Sequence, residues 1–570
     1  DPHQDTTSGP KGGDRLKDPT PKPERSFWDI FAEPPAAAKE GKAKKGTAKD
    51  ETVKEDRSFW ELFANPDVPA EVNEAEPPKS SALRFNKEAV FWALRDLPVT
   101  EAVKHFLICG MTGSGKTTAI QLYLQSIARR FRARRKTPEQ LIVFDAKCDM
   151  VPVLAGLGLT WEDDNVWILN PYDARSAVWN VAEAVQTPAM ARHLATLMVP
   201  EEKNSTAPYF SDGARELVHF VVMALNHVAH TNWTLRDLLC ALDCREHIVQ
   251  VTAHEPRTKV LADRILKDRR HAAGILSTLA TKLGRFEQVA ALWHTNTSGR
   301  HFSIPEFLKK PGVLVLGNDP VLRDSFWPII GLVLKSLTQE ILRGPETLRP
   351  RHWFVLDEFR ALERADYIHD LLNRGRSKGA SVVLGIQSID GLVEVYQESG
   401  ANDILSQCAT KTFLRAGGPQ TAEWAEKYFG QVREEETHKS VTTGGEKTTT
   451  TTQHEIRERF LFLASYFLNL PLPEPGGIYV SVNDIPCQRA TFITSRHFDE
   501  VRSWCRPPGK VASVIPRDNV SEQTLKPWSE DEEVRWRNGL PAQENRQPQP
   551  PATTTILKDM PPGHRREPHR

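Results

Sequence analysis

The segment Gly110-Met111-Thr112-Gly113-Ser114-Gly115-Lys116-Thr117 sets glycines, a lysine and a hydroxyl in the spacing GxxxxGK[ST]. Glycines let a loop wrap an anion with successive backbone N–H groups, and the helix that follows adds the positive end of its dipole. Lys116 in this pattern reaches the β- and γ-phosphates of a nucleotide, the Thr117 hydroxyl binds Mg2+, and Thr118 completes the nucleotide-binding set. The segment Arg351-His-Trp-Phe-Val-Leu-Asp357-Glu358 supplies the complementary acids. Asp357, at the carboxyl end of an apolar strand, is placed to hold Mg2+ through a water, and Glu358 to orient and deprotonate the attacking water. Such a pair points to hydrolysis rather than transfer to a substrate hydroxyl. The sequence has no Asn-Lys-x-Asp guanine reader, which favours ATP over GTP.

Two further features belong to the same chemistry. Gln387 ends the apolar stretch of LLNRGRSKGASVVLGIQSI, a position from which an amide senses the γ-phosphate or the attacking water. Arg374, Arg376 and Lys378 stand just before that stretch. In a ring of such domains one arginine could enter the neighbour's site and neutralise charge developing on the phosphate. Spacing alone does not choose among them.

These residues need a sheet to position them. Short apolar runs predict strands over His105–Cys109, Leu141–Asp145, Val166–Leu169, Val313–Gly317, Trp353–Asp357 and Ala380–Ile386, mostly followed by loop or helix signals. That alternation predicts an α/β fold, a parallel doubly wound RecA-like P-loop domain. From Thr117 to Asp357 the chain runs 357 minus 117, or 240 residues, far more than one or two βα units need. Helical patterning such as Gly213–His227 and Lys259–Phe286 fills the gap, so residues 181–299 are read as an all-alpha insertion between domain halves 83–180 and 300–495.

The flanks are of another texture. Residues 1–82 are rich in Lys, Glu, Pro, Ala and Asp and cannot bury enough apolar surface to fold alone, so they read as a disordered arm. The arm carries a duplicated motif, RSFWDIFAEP at 25–34 and RSFWELFANP at 57–66. Phe27, Trp28 and Phe31, with Phe59, Trp60 and Phe63, put three aromatics on one helical turn in each copy, fit for docking in a partner's groove. Packing of both islands onto the ATPase domain is the alternative. Residues 496–570, Pro-, Arg- and Glu-rich, read as a largely disordered tail.

The whole chain has 74 basic and 74 acidic residues in 570, so any nucleic-acid surface must be local. Candidates are the run Arg129–Lys136, read mainly as a solvated helix end, and Arg264, Lys267, Arg269, Arg270, Lys282 and Arg285 in the insertion. Seven cysteines without a CxxC pair fit a reducing compartment. Cys240, Cys244 and His247 read as packing residues of one amphipathic helix rather than a zinc site. The threonine-rich stretch Glu434–Gln453 reads as a flexible hairpin or loop. No run of 18 apolar residues spans a membrane. The first residue is Asp rather than Met, which leaves an upstream anchor open.

In its ordered series of segments the chain resembles the type IV secretion coupling proteins of the TraD/TraG group, related to the FtsK and HerA hexameric motors. The resemblance spans about residues 83–495 and includes the phosphate loop, FDAKCDM, LNPYDARSAVWN, FVLDEF, LLNRGRSKGASVVLGIQSI and LASYFLNLPLPEPGGIYVSVNDIPCQRATF. It implies a RecA-like domain interrupted by an all-alpha domain, assembled six around a channel. It makes Lys116 and Thr117 the phosphate and Mg2+ contacts, Asp357 and Glu358 the metal and water pair, Gln387 the sensor and Arg376 the arginine finger. The implied function is an ATPase at the cytoplasmic face of a bacterial inner membrane that delivers single-stranded DNA, with its relaxase, to secretion-channel proteins. The alternatives are a HerA/FtsK-like pump on double-stranded DNA and a receptor ATPase for effector proteins. The family usually begins with transmembrane helices, and no membrane attachment is visible in this chain; a duplicated aromatic arm is not a general feature of the family.

Overall fold

The computed structural model describes residues 85–132, 138–200, 208–295, 298–317, 323–362, 365–444, 447–486, 490–517 and 524–539. The amino-terminal arm with its two aromatic motifs lies outside them.

All six predicted strands are present in one nine-stranded sheet. In chain order its strands are β1 (Phe106–Cys109), β2 (Gln140–Asp145), β3 (Val166–Leu169), β4 (Gly312–Gly317), β5 (Thr347–Leu356), β6 (Lys378–Ile386), β7 (Thr410–Phe413), β8 (Ile478–Ile485) and β9 (Ala490–His497). Their spatial order is β9-β8-β7-β1-β6-β5-β2-β4-β3. The first seven run parallel, while β8 and β9 are antiparallel additions at one edge. Runs such as FLIC and GVLVLG are buried at every position because helices cover both faces, which explains why they do not alternate with polar residues. Trp92, Phe106 and Tyr123 pack within 5.6 Å of one another, and Tyr123 reaches Trp353 at 6.3 Å.

Between β3 and β4 the chain leaves the sheet through Val178–Trp179 and returns through His301–Phe302. These two pairs lie parallel and hydrogen-bonded as a neck. Residues 181–294 between them are helical among the described residues, around the long helix Pro208–Ala229. The predicted helix Lys259–Phe286 is two, Pro256–Leu266 and Arg269–Leu283. Asp268 breaks it, since its carboxylate accepts the N–H groups of Arg270 and His271 and starts a new helix. Cys240 and Cys244 are likewise not in one helix: Cys244 immediately precedes helix Arg245–Thr252, and His247 Nδ1 lies 2.8 Å from the Cys240 carbonyl.

The carboxyl-terminal region departs from expectation. Residues 498–517 and 524–539 are ordered against the body. Phe498–Trp504 is a helix, and Arg175 donates to the carbonyls of Ala512 and Ser513 at 3.0 and 2.9 Å while also pairing with Asp173. Helix Glu530–Asn538 then lies on the insertion, where Arg236 clasps Glu532 at 2.9 and 3.0 Å and holds its carboxyl down at about 2. Trp528 donates to Asp237 at 3.1 Å, and Trp536 is fully buried. Average composition concealed two tryptophans and a capping box at Ser529 and Glu532, enough to anchor a polar segment. The threonine-rich stretch lies in an antiparallel hairpin, Gln431–Gly444 with Lys447–Phe460.

Candidate functional site: the phosphate loop and the acid pair

The phosphate loop begins where β1 ends. Gly110 N–H donates to the Ile386 carbonyl at 3.2 Å and Met111 N–H to the Arg415 carbonyl at 2.9 Å, so the strands on either side of β1 fix the loop's first residues. Gly113 and Gly115 have φ of +80° and +98°, a conformation that favours glycine. A Cβ on Gly110 would lie 2.6 Å from Ser114 Oγ, and one on Gly115 would lie 2.7 Å from the Tyr479 ring. The Ser114 hydroxyl donates to the Met111 carbonyl at 2.7 Å and tightens the turn. Lys116 and Thr117 then open helix Lys116–Ile127, with Thr118 and Ala119 continuing its first turn.

Lys116 is 5% exposed, and its Nζ donates to the Gly110 carbonyl and, at 3.1 Å, to the Met111 carbonyl. Burial pulls this ammonium below the usual lysine range, against the opposing pull of Asp357 and Glu358. The lysine is therefore folded back over the loop, with its charge on the carbonyls of Gly110 and Met111. The neighbouring Cys109 thiol is pushed up to about 12 by burial and stays protonated.

Asp357 follows β5, two strands from β1, and β6 lies between them. This order brings the carboxyl ends of β1, β6 and β5 side by side, and so gathers the phosphate loop, Gln387 and Asp357–Glu358 at one edge. Asp357 is buried, and its Oδ1 has no hydrogen-bond donor, while the Oε2 of Glu358 has only the Lys147 ammonium 3.7 Å away, beyond hydrogen-bond reach. One buried and one part-buried carboxylate beside the phosphate loop fit a divalent cation, which Asp357 and the Thr117 hydroxyl would hold. Glu358 adopts φ of +65°, a strained conformation for a side-chain-bearing residue, which turns its carboxylate beside that of Asp357. Gln387 is exposed just past β6.

Arg376 stands apart from these residues. It is exposed in the turn before β6, at the opposite end of the strand from Gln387. Nine residues of β6 separate the two ends, a span of about 30 Å. With Arg374, Lys378, Asn373, Leu342 and Leu348 it lines an open cleft of about 430 Å³. His105 braces this end: its Nδ1 accepts the Val382 N–H at 3.2 Å and its Nε2 donates to the Leu372 carbonyl at 3.0 Å. Burial holds the imidazole neutral, down at about 4.

Three contributors escaped the sequence reading. Lys147, inside FDAKCDM, lies 3.6 Å from Asp357 Oδ2 and 3.7 Å from Glu358 Oε2. The signal was a lysine just past a buried strand. Gly385 faces Asp357 so closely that a Cβ would sit 2.6 Å from Oδ1; a lone glycine inside the apolar run SVVLGI was the cue. Tyr479, from the antiparallel edge, seats Gly115 and had no local signal. Of the basic candidates, Arg130 is buried against Glu139 at 3.4 Å and over Trp353, so it is not a solvated helix end. Arg285 is spent on the carbonyls of Leu197 and Met198, whereas Arg264, Lys267, Arg269 and Arg270 are exposed.

Residues 93–492 match the family described as the type IV secretion-system coupling protein DNA-binding domain. This chain belongs to that family. The coupling protein is 22% identical over 346 residues to coupling protein TraD of Escherichia coli K12, a match covering 59% of this chain and 45% of the relative. It is 21% identical over 323 residues to the type IV secretion system-coupling protein VirD4 of Bartonella quintana, covering 53% and 50%. The chain thus spans about half the length of these curated relatives. Its fold is similar to that of the bacterial conjugative coupling protein TrwBdeltaN70, with a TM-score of 0.57, 19% identity, and coverage of 76% of this chain and 92% of that one. The TrwB structure in complex with ADP and Mg2+ matches at a TM-score of 0.54 and 19% identity, covering 77% and 92%. The RecA-like core with a helical insertion is shared with these structures.

Proposed function

We propose that this coupling protein hydrolyses ATP with Mg2+ and uses the energy to recruit and move DNA, with a bound relaxase, into a type IV secretion channel. One observation carries the reading: the phosphate loop, Gln387 and Asp357–Glu358 meet at adjacent strand ends. The solved relatives bound to ADP and Mg2+ and to a non-hydrolysable ATP analogue support the same ligands. In the proposed reaction Lys116 and the loop N–H groups hold the phosphates, Thr117 and Asp357 hold Mg2+, and Glu358 takes the proton of the attacking water oriented with Gln387. Bound between them, the metal would supply charge compensation on the phosphate oxygens.

Arg376 lies too far from its own chain's site to act there, which supports a ring in which it completes the next subunit's site. We infer a homohexamer, the assembly that the family resemblance implies. Single-stranded DNA is the preferred cargo, and the cytoplasmic face of the bacterial inner membrane the place of action. Among the described residues no helix is long and apolar enough to cross a membrane. The aromatic motifs of the arm serve in this reading as paired docking peptides for a protein partner. Hydrolysis rates with single- and double-stranded DNA over a range of salt, alongside mass in solution, test the proposal. Single-stranded stimulation in a hexamer supports it; preference for duplex favours a HerA/FtsK-like pump. Indifference to DNA with tight effector binding would favour a protein receptor and refute the DNA reading.

A further inference from the structure

The loop after β2 is held in one shape by its own polar groups. Asp145 Oδ1 accepts the Asp149 N–H and Oδ2 the Met150 N–H, both at 3.0 Å, and the Cys148 N–H donates to the Asp145 carbonyl at 3.4 Å. Cys148 sits at φ of +57°, so the backbone reverses here at some cost in strain. Because β2 and β5 are neighbours in register, with Phe144 opposite Leu356, the reversal delivers Lys147 to the end of β5. Its ammonium pairs with Asp357 Oδ2 at 3.6 Å and with Glu358 Oε2 at 3.7 Å.

Two carboxylates on consecutive residues repel each other, and a single positive charge between them relieves the repulsion. The oxygens that this ammonium approaches belong to the same carboxylates that would face a divalent metal. We propose that Lys147 is a built-in counter-ion of the acid pair that competes with the divalent cation, so that metal binding requires the ammonium to withdraw. The inference rests on the metal role of Asp357 in the proposed function. The side chain is 42% exposed, so it has solvent to withdraw into. A lysine here thus keeps the pair compensated before metal binds without being locked in place.

The competition is read by titrating the full chain with Mn2+ in the absence of nucleotide and counting free Mn2+ by electron paramagnetic resonance. Lys147→Gln removes the charge while keeping a polar side chain of similar reach. Two contacts near 3.6 Å, made by an ammonium that is partly in solvent, set the expected change at about five- to thirty-fold tighter Mn2+ binding. Lys147→Arg keeps the charge and should stay within about two-fold of the parent. A mere loss of local structure would weaken the metal, so the sign of the change separates competition from damage. Unchanged or weaker Mn2+ binding by Lys147→Gln overturns the inference. Asp357→Asn tests the underlying reading separately: if it binds Mn2+ as well as the parent, the acid pair is not the metal site and both proposals fall. If it loses Mn2+ while Lys147→Gln shows no gain, only the counter-ion is refuted.

Discussion

Gly385→Ala puts one methyl group against the Asp357 carboxylate, the proposed holder of Mg2+, and leaves every proposed catalytic residue in the sequence. The added Cβ would sit 2.6 Å from Asp357 Oδ1 and 3.1 Å from Asp357 Cα. Non-bonded heavy atoms rest at about 3.5 Å, so the overlap with the oxygen is about 0.9 Å. Relief by moving the strand is blocked, because β6 is paired on one side through Leu384 with Leu356 and on the other through Gly385 with Ile108. The carboxylate must rotate away instead. Overpacking of this kind costs about 1–3 kcal/mol, which lowers the urea midpoint without unfolding the chain. A displacement near 1 Å of a catalytic ligand costs about a hundred-fold in rate, so kcat for ATP hydrolysis should fall by that order while nucleotide binding through the loop persists. Gly418→Ala, where a Cβ meets nothing within 4 Å, is the control. A Gly385→Ala protein that hydrolyses ATP within about two-fold of the parent would refute the close fit as a determinant of the site.

Lys116→Ala should abolish tight ATP binding, whereas Glu358→Gln should keep ATP bound and unhydrolysed; equal loss of affinity in both, measured with a fluorescent analogue, contradicts the assigned roles. Arg376→Ala should stop hydrolysis while monomers still bind ATP, and mixing it with Glu358→Gln should restore some activity in demonstrably mixed rings; no recovery at any ratio counts against action between subunits. His105 is held neutral at about 4, below its unfolded value of about 6.5, so the unfolded chain takes up the proton first and stability falls as pH drops from 6.5 towards 4. This histidine contributes up to about 3 kcal/mol to that fall, and His105→Asn should flatten it in urea melts at pH 7.5 and 5; an unaltered slope refutes the assignment. In the arm, Trp28→Ala and Trp60→Ala should each weaken association with a partner complex, and together abolish it, with ATPase activity intact. Normal binding with a lowered melting temperature would instead assign both islands to packing on the chain itself.

What could be read in advance was what depends on neighbours along the chain. The phosphate loop needs glycines, lysine and threonine in fixed succession, and FVLDE announces a buried strand and its terminal acids within one segment. Sheet order is not local: no residue of β1 indicates that β6 rather than β5 lies beside it, yet this places Gln387 between the loop and the acid pair. Lys147 illustrates the same limit, since its relation to Asp357 exists only because β2 and β5 are adjacent. The ordered carboxyl-terminal segment was missed for another reason. Its stability comes from residues such as Arg236 and Asp237, nearly 300 positions earlier, and composition averaged over the tail cannot contain them.

The path of that segment bears on how mechanical load would travel through the molecule. The insertion joins the sheet at the neck of Val178–Trp179 and His301–Phe302, and a platform held there alone could swing as on a door hinge. The returning chain is fastened to the sheet side at Asp173 and Arg175, touches Leu292 through Arg517 at 2.8 Å, and is fastened again to the far helices through Arg236 and Glu532. Fixing points outside the line of a hinge oppose rotation about it. Any load on the insertion would therefore be shared between the neck and this brace, and would reach β3 and its neighbours as displacement rather than being lost in idle swinging.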